Sequence, residues 1–375
     1  MTMDPDIRDA LATAASTMPL DVERRLDELH RGLPRRDRIR RIAVIAVAAV
    51  VAVAALVLVS QIRPSADDTA IGSTPSGRIA LTRVAFDHAG NGTADVVALD
   101  PGSGAITPLS ERPADDFFPG WSPDGARLAF TTGNPGADGL AIHITNADGS
   151  DPVTIDTGKI EFLSWSPDGG QLAYVHSDSG AANDAPSGLY VVDADGGASR
   201  RVVGGSWESV SWSPDGGLLL LAGSPANIEH ACPPDCTDLY TVRPDGSDLT
   251  QLTDDDTYEH YASWSPDGTR IAFARSRGYD NVDYGSDIYV MDADGGGVTR
   301  LTDWSGFDSF PVWSPDGTLL AFASDRDVTE AQQTANADGA FENIGIYLME
   351  PDGTGVRRLI AGQPNVTFLP SSWTP

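Results

Sequence analysis

The sequence predicts an all-β fold, a six-bladed β-propeller over residues 77–375, preceded by a short helical head and a single transmembrane helix. Three observations predict the propeller. The pentapeptide WSPDG occurs five times, at intervals of 44 to 52 residues. An alternating or apolar strand follows each copy, and most repeats then show a further strand that ends in an Asp-Gly turn. Four strands in a repeat of roughly 45 residues are the pattern of a propeller blade.

The first 41 residues are the predicted cytoplasmic head. Residues 6–16 and 21–30 have the spacing of short helices, and Gly32 and Pro34 end the second one. Because this segment is too short to bury a core, we expect either a solvated helical tether or a docking helix for a cytoplasmic protein. In layout it resembles the cytoplasmic heads of membrane-bound anti-sigma factors, although it lacks the cysteines of their zinc-binding members.

Residues 42–60 are the predicted transmembrane helix. The uncharged run from Ile42 to Val59 would extend about 27 Å as a helix, close to the hydrocarbon thickness of a bilayer. Five arginines precede this run and one follows closely, so the positive-inside rule places the N-terminus in the cytoplasm. The long leader and the lack of a small-x-small cleavage pattern favour an uncleaved signal anchor over a cleaved signal peptide. We expect a single-pass protein of a bacterial plasma membrane with its propeller outside the cytoplasm.

The part of the chain beyond the membrane is strongly acidic. Residues 61–76 are small and polar, which predicts a flexible linker. From residue 64 onward there are 15 basic and 46 acidic residues, a net charge of −31. A field of this sign repels phosphate backbones and anionic headgroups, so we expect no nucleic-acid partner and a preference for cationic or neutral partners.

The WSPDG residues have predicted structural roles. Proline presets φ for a turn, aspartate accepts hydrogen bonds from nearby backbone N–H groups, and glycine supplies a positive φ. The tryptophans end the innermost strands, where flat side chains can pack between blades. These structural residues are Trp121, Trp165, Trp212, Trp264, Trp313 and Trp373, together with Asp124, Asp168, Asp215, Asp267 and Asp316.

The two ends of the repeat region predict how the ring closes. Residues 77–84 match the strand that follows each WSPDG, but no tryptophan precedes them, so the first blade begins without its innermost strand. The final residues match the segments that lead into each repeat tryptophan. We therefore expect residues 366–375 to enter the first blade beside residues 77–84, which gives six blades.

These repeats resemble the WD40-like PD40 repeats of the TolB-like propellers, a group found in bacterial envelope proteins. The resemblance covers residues 77–375 and implies a protein-binding or scaffolding module of the cell envelope. TolB itself carries an N-terminal α/β domain where this chain has its predicted anchor. The group also includes the propellers of prolyl-oligopeptidase-type enzymes. However, the sequence has no G-x-S-x-G nucleophile elbow and its histidines are scattered, so we expect no catalytic residues.

Ligand binding is predicted on the face opposite the SPDG turns. The loops that join second and third strands there vary in length, and variable loops on a rigid scaffold commonly bind partners. Aromatic residues with arginine suit a recognition surface, although these could equally be ordinary solvated loops. The candidates are His230, Tyr258, His260, Arg275, Arg277, Tyr279, Tyr284, Trp304, Phe307, Arg326 and Phe341.

Three classes of function remain open at this point. The first is an extracytoplasmic binding module for a protein, a peptide or a cell-wall glycan. The second is a transmembrane sensor or anti-sigma-like regulator whose head, residues 1–41, docks a cytoplasmic partner. The third is a hydrolase-related propeller enzyme.

Two further motifs have alternative explanations. Cys232 and Cys236 flank Pro-Pro-Asp, and outside the cytoplasm a local disulfide is expected, because metal ligation would normally need more cysteine or histidine nearby. The Asp-Ala-Asp-Gly segments at 193–196 and 292–295 resemble part of a calcium loop but lack the distal glutamate of an EF-hand. We expect Asp-Gly hairpin turns there, with no metal and no cofactor, and calcium as the alternative.

Overall fold

The computed structural model describes residues 77–86, 92–110, 114–133, 140–158, 160–177, 186–226, 237–255, 257–276, 285–327, 343–363 and 366–374. The predicted head (1–41), transmembrane helix (42–60) and linker (61–76) lie outside these residues. Throughout the described ranges the secondary structure is all β. These ranges contain no helix with the length and hydropathy needed to span a membrane.

Short antiparallel strands make up the whole described region. In chain order they are β1 (Arg78–Phe86), β2 (Gly92–Leu99), β3 (Ile106–Pro108), β4 (Asp115–Trp121), β5 (Arg127–Gly133), β6 (Leu140–Asn146), β7 (Val153–Gly158), β8 (Ile160–Trp165), β9 (Gln171–His176), β10 (Gly188–Asp193), β11 (Arg200–Trp212), β12 (Leu219–Pro225), β13 (Asp238–Val242), β14 (Thr250–Gln251), β15 (Tyr258–Trp264), β16 (Arg270–Ser276), β17 (Ser286–Asp292), β18 (Thr299–Arg300), β19 (Asp308–Trp313), β20 (Leu320–Ser324), β21 (Gly345–Met349), β22 (Arg357–Ile360) and β23 (Val366–Thr374).

The strands form four separate four-stranded sheets and one seven-stranded sheet. The four-stranded sheets have the orders β23-β1-β2-β3, β4-β5-β6-β7, β15-β16-β17-β18 and β19-β20-β21-β22, and strands β8 to β14 form the seven-stranded sheet. The described part therefore shows four separate blades where the sequence predicts six. The difference arises at β11, which pairs with β10 through residues 200–204 and with β12 through residues 205–212, so no break separates these two repeats.

The innermost strands surround a central channel. β4 contacts β8, β8 contacts β11, and the contacts continue through β15, β19 and β23 back to β4. β23 pairs antiparallel with β1, so the first and last described strands lie in one sheet. A closed ring of radial sheets around a channel is a β-propeller.

The hydrophobic core lies between neighbouring sheets. One cluster joins Ile142 of β6 to Trp165 of β8 and Tyr174 of β9. Another joins Leu81 of β1 to Leu348 of β21, across the junction where the ring closes. Because each sheet buries its apolar face only against the next one, its stability depends on both neighbours.

The repeat tryptophans are part of this core. Those of the five WSPDG copies are buried, with exposures between 5% and 8%, and Trp373 is half-buried. The Trp165 Nε1 donates to the carbonyl oxygen of Gly120 in the preceding sheet at 2.8 Å. The guanidinium of Arg127 lies 4.7 Å from the ring centroid of the same tryptophan. Each such contact links one sheet to the next.

The five SPDG turns share one hydrogen-bond pattern. In the first, Ser122 Oγ donates to Asp124 Oδ1 at 2.6 Å and the Ala126 N–H donates to the same oxygen at 3.0 Å. Gly125 between them has φ of +65°, which favours glycine. The donated hydroxyl groups hold the pKa of every repeat aspartate below its usual value, and that of Asp267 at about 2. The turn carboxylates therefore accept hydrogen bonds from hydroxyl and N–H groups of their own turns.

Candidate functional site: an aromatic cavity in the central channel

A cavity of about 240 Å³ lies in the central channel. Its lining comes from β4, β8, β11, β15, β19 and β23, together with Pro123, which lies in the SPDG turn after β4. Among the described lining residues, Tyr261 is the one with an ionisable side chain; the others are aromatic, aliphatic, proline, glycine or serine. Pockets for drug-sized ligands are roughly 300–1,000 Å³, so this cavity suits a single side chain or a small ion.

Four aromatic rings form a chain of contacts in this cavity. Phe118 and Phe162 have ring centroids 4.2 Å apart, and Phe162 lies 5.7 Å from Tyr261. Tyr261 stacks on Phe310 at 3.7 Å with an interplanar angle of 20°. The four residues come from four different innermost strands, so the rings meet across the channel.

The backbone of all four aromatic residues is left-handed. Their φ angles are +52° at Phe118, +44° at Phe162, +53° at Tyr261 and +56° at Phe310. The strand register shifts at each of these positions, as it does in a β-bulge. Bulges re-aim side chains and are common next to functional sites, and bulky residues rarely adopt a positive φ. The shift in strand register at these positions places the aromatic rings in the channel.

Two carboxylates lie beside the aromatic chain. Glu161 precedes Phe162 on β8, and Glu208 lies on β11 and accepts a hydrogen bond from the Tyr258 hydroxyl. Burial and the charges of Glu208 and Glu161 raise the pKa of Tyr261 well above its usual value. Burial, and to a smaller extent the charge of Glu161, also raises the pKa of Glu208. The two carboxylates therefore lie close enough to influence the same ring.

These carboxylates lie toward the face opposite the SPDG turns. Each innermost strand runs toward its SPDG turn and ends at the repeat tryptophan. Glu161 and Glu208 precede their tryptophans by four residues, whereas the aromatic residues precede theirs by three. Along their strands, the two glutamates therefore lie one residue farther from the SPDG turns than the aromatic residues do.

Three predicted site residues meet at β15 and β16. Arg275 pairs with the buried carboxylate of Glu259, and its Nη2 lies 2.8 Å from Asp255 Oδ2. The Tyr258 and His260 rings are 5.0 Å apart, and burial lowers the pKa of His260 to about 4, so this imidazole is neutral near pH 7. Arg275, with 17% of its side chain exposed, is already occupied by internal ion pairs.

Three others meet at the crossing into β19. Arg326 Nη2 lies 2.6 Å from Oδ2 of Asp308, a fully buried carboxylate. Its guanidinium is 5.9 Å from the ring centroid of Trp304. The Trp304 Nε1 and the Phe307 N–H both donate to Asp325 Oδ1, at 2.7 and 2.9 Å. These three residues form one polar and aromatic patch on the predicted binding face.

The remaining candidates lie outside the described residues. They are His230, Arg277, Tyr279, Tyr284 and Phe341, and both Cys232 and Cys236 also lie there. The structure thus brings six of the predicted binding residues into two groups. The five candidates outside the described residues and the predicted disulfide stay predictions.

Sequence reasoning missed the aromatic cavity, although the sequence contains its signal. Four of the six innermost strands have an aromatic residue three positions before the tryptophan, in FPGW, FLSW, YASW and FPVW. The other two have Ser209 and Pro370 there. In a regular strand the side chain at this position would alternate with its neighbours like any other. The bulge is what changes its direction.

Comparisons with known proteins support the fold. No family model matches the sequence, and no curated protein matches it. Among solved structures, TolB from Acinetobacter baumannii is 17% identical with a TM-score of 0.61, over 82% of this chain and 69% of that one. A TolB candidate from Agrobacterium tumefaciens is 22% identical with a TM-score of 0.54, over 80% of this chain and 99% of that one. A chain of a nidogen/laminin complex is 12% identical with a TM-score of 0.55, over 80% and 98%. The predicted all-β propeller is confirmed, and its structural neighbours include TolB-like propellers.

Proposed function

We propose that this chain is a membrane-anchored, extracytoplasmic β-propeller of the cell envelope that acts as a binding or scaffold module. The observation that carries this proposal is the aromatic cavity in the central channel of the ring. Its partner is a protein, a peptide or a glycan. The fold alone does not specify the function, so the proposal depends on the site.

Backbone strain at the cavity supports a binding role. A bulky residue with a left-handed backbone costs about 1–3 kcal/mol, and such strain concentrates at functional sites. Four such residues in contact together cost several times that amount. A regular strand with inward aliphatic side chains would fill the channel without this cost.

We propose six blades for the ring. In this proposal the seven-stranded sheet contains two blades that share β11, one ending with residues 200–204 and the next beginning with residues 205–212. The register of β11, which changes its partner from β10 to β12, supports this division. The six innermost strands that line the cavity support it further.

The anchor and the location follow from the charge pattern of the sequence. An apolar run flanked by arginines on its N-terminal side favours a cytoplasmic N-terminus. The strongly acidic remainder suits an extracytoplasmic domain that stays away from anionic headgroups. The neighbour solved in a nidogen/laminin complex shows the same fold within a protein assembly, which is compatible with a protein partner here.

We propose that the module is not an enzyme. The support comes from a histidine beside the cavity lining. His260, which neighbours Tyr261, has its pKa lowered to about 4 by burial and lies 6% exposed, a poor position for a general base at neutral pH.

Site-specific photo-crosslinking in intact cells tests the binding proposal. Ser305 is exposed and lies between Trp304 and Phe307 on the proposed face, so a benzophenone amino acid there should give a discrete adduct. Asp195 is exposed in a turn on the opposite face and provides the control position. Identical adducts from both positions, or none from position 305, would contradict a binding role for this face.

Protease accessibility tests the proposed topology. Protease added outside intact cells should digest the propeller and spare residues 1–41. Digestion of the head with the propeller protected would reverse the orientation.

A further inference from the structure

We propose that the central cavity binds a small uncharged phenol, that is, one aromatic ring with a hydroxyl group. This ligand is distinct from the macromolecular partner of the proposed function, which contacts the face opposite the SPDG turns. The two proposals share only the cavity. Four features support a phenol: the position of the cavity, its size, the faces of its aromatic rings and the hydroxyl groups that the fold leaves without a partner.

The cavity is bounded at one end by aromatic rings. Its lining begins with the four aromatic residues that lie three positions before a repeat tryptophan, and it extends along the strands to Pro123 in the first SPDG turn. The contacts among the four rings cross the channel. Pro123 is exposed, so we expect a ligand to enter from the face that carries the SPDG turns.

The size of the cavity favours a single ring. An apolar cavity of about 150 Å³ is sufficient for benzene, so one of about 240 Å³ has room for a ring with a small substituent. The SPDG turns at this face are short, whereas the longer, variable loops lie on the opposite face. Little surface is therefore available beside the cavity to hold a peptide backbone, which favours a free small molecule.

The aromatic rings present faces to a flat ligand. Phe118 and Phe162 are tilted by 41°, and Phe162 and Tyr261 by 52°, so neither pair is stacked face to face. All four rings are half-buried, which leaves part of each ring accessible. Aromatic pairs favour offset or edge-to-face contacts with centroids about 4.5–7 Å apart, so an aromatic ligand gains more here than an aliphatic one of equal size.

Hydroxyl groups of the lining fall into two sets. Ser164, Ser263 and Ser372 each form a hydrogen bond with the backbone of the next innermost strand. Within the described residues, the hydroxyl groups of Tyr261, Ser211 and Ser371 have no hydrogen-bond partner. Ser371 has no pairing partner in the register between β23 and β1, and it is exposed. These three groups are available to a hydroxyl group on a ligand.

The charges around the cavity exclude an anion. None of the described lining residues has a carboxylate, a guanidinium or an ammonium group. Asp124 follows Pro123, and the hydroxyl of Ser122 lowers the pKa of its carboxyl, so this group is ionised at neutral pH. The other four SPDG turns carry the same aspartate. An aromatic carboxylate would be repelled at this face and would find no ion-pair partner in the cavity.

Fluorine NMR of 4-fluorophenol with the full-length chain in detergent solution tests the proposal. Binding should broaden the fluorine signal, and p-cresol should reverse the broadening by competition. Cyclohexanol keeps the hydroxyl group without the aromatic ring, and 4-hydroxybenzoate adds a negative charge to the phenol. Each should compete at least tenfold less well than p-cresol. Equal competition by p-cresol and either of these two compounds would overturn the inference.

A tyrosine peptide distinguishes a free phenol from a side chain. The probe is acetyl-Gly-Gly-Tyr-Gly-Gly-amide, which carries the same ring as p-cresol on a backbone. We expect it to compete at least tenfold less well, because the cavity has room for the ring alone. If the peptide competes as well as p-cresol does, the cavity receives a side chain of a polypeptide and the assignment to a free phenol is wrong.

Variants separate binding in the cavity from partition into detergent. Ser371→Phe adds a ring to an exposed residue of the lining and should abolish the broadening that p-cresol reverses. Ser305→Phe makes the same change at an exposed position on the opposite face and should leave it unaltered. Equal broadening with both variants would overturn the inference. Tyr261→Phe and Ser211→Ala each remove one unpaired hydroxyl group and should weaken binding at least threefold.

Two further measurements keep the outcome clear. The urea midpoint of Ser371→Phe shows whether this variant folds; if it does not, Tyr261→Phe and Ser211→Ala decide, and unchanged affinity in both would refute the site. Crosslinking at position 305 tests the macromolecular partner independently. Adducts there without phenol binding would overturn the phenol site alone, and phenol binding without adducts would contradict only the binding role of the opposite face.

Discussion

Loss of the ring closure at β23 is expected to destabilise the whole propeller. The Phe368 side chain is 2% exposed and packs with Leu81 and Leu348 in the cluster that joins the first sheet to its neighbour. Phe368→Ala should cost about 3–5 kcal/mol, because it leaves a cavity as well as losing apolar burial. A typical domain has about 5–15 kcal/mol of stability, so this single change removes a large fraction of it.

Truncation of the chain after residue 363 should have a larger effect. It removes eight residue pairs between β23 and β1 and the hydrogen bond from the Trp121 N–H to Ser372 Oγ, at 3.0 Å. β1 would then present an unpaired edge to the channel, where it could pair with another chain. We expect the truncated protein to be insoluble or to unfold far below the full chain.

Urea denaturation followed by tryptophan fluorescence measures both effects. Val356→Ala is the matched control, because this valine is 39% exposed, and it should shift stability by no more than about 0.5 kcal/mol. Equal midpoints for Phe368→Ala and Val356→Ala would refute the proposed role of β23. Cooperative unfolding of the truncated chain at the midpoint of the full chain would refute it as well.

Three further predictions concern charges and thiols. Arg326→Ala should cost about 3–5 kcal/mol in urea denaturation, because it leaves the buried Asp308 carboxylate unpaired, and Arg326→Met with Asp308→Leu should recover most of the loss. Asp267 contributes stability above its unfolded pKa that is lost as the pH falls from about 4 to about 2, so the melting temperature of Asp267→Asn should fall less steeply over that window, and parallel curves would contradict this. Cys232 and Cys236 should be found as a disulfide by mass spectrometry of exported protein, and two free thiols or bound zinc would disprove it.

The repeat spacing predicts the positions of the strands well because the same turn motif recurs from blade to blade. Every WSPDG ends a strand and begins a turn, so strand positions can be counted from it. The same counting gives the position of β23, since Trp373 ends a segment of the same type. It does not give the continuity of β11, which depends on whether the backbone breaks between two repeats. Gly205, with φ of +155°, lets this strand continue in extended form from one sheet to the next.

The candidate site was harder to predict because its properties depend on partners distant in sequence. Arg275 and Arg326 resemble free recognition residues, but Glu259 and Asp308 lie 16 and 18 residues away and pair with them in the fold. Composition cannot show such pairing. The sequence pattern does not single out the aromatic residues of the channel, because alternation alone does not show which side chain a bulge will redirect.

The positive φ angles of the channel's aromatic residues set backbone strain against the contacts that their rings make. Replacement of Phe162 or Tyr261 with glycine or asparagine would relieve an unfavourable backbone, as these residues tolerate a positive φ. Such a replacement would also remove ring contacts, such as the stacking of Tyr261 on Phe310 at 3.7 Å, so its net effect on stability is the difference between strain and packing. A glycine at Phe162 or Tyr261 that raised the melting temperature would show that the strain exceeds the packing, and that the channel keeps its rings at a cost to the stability of the fold.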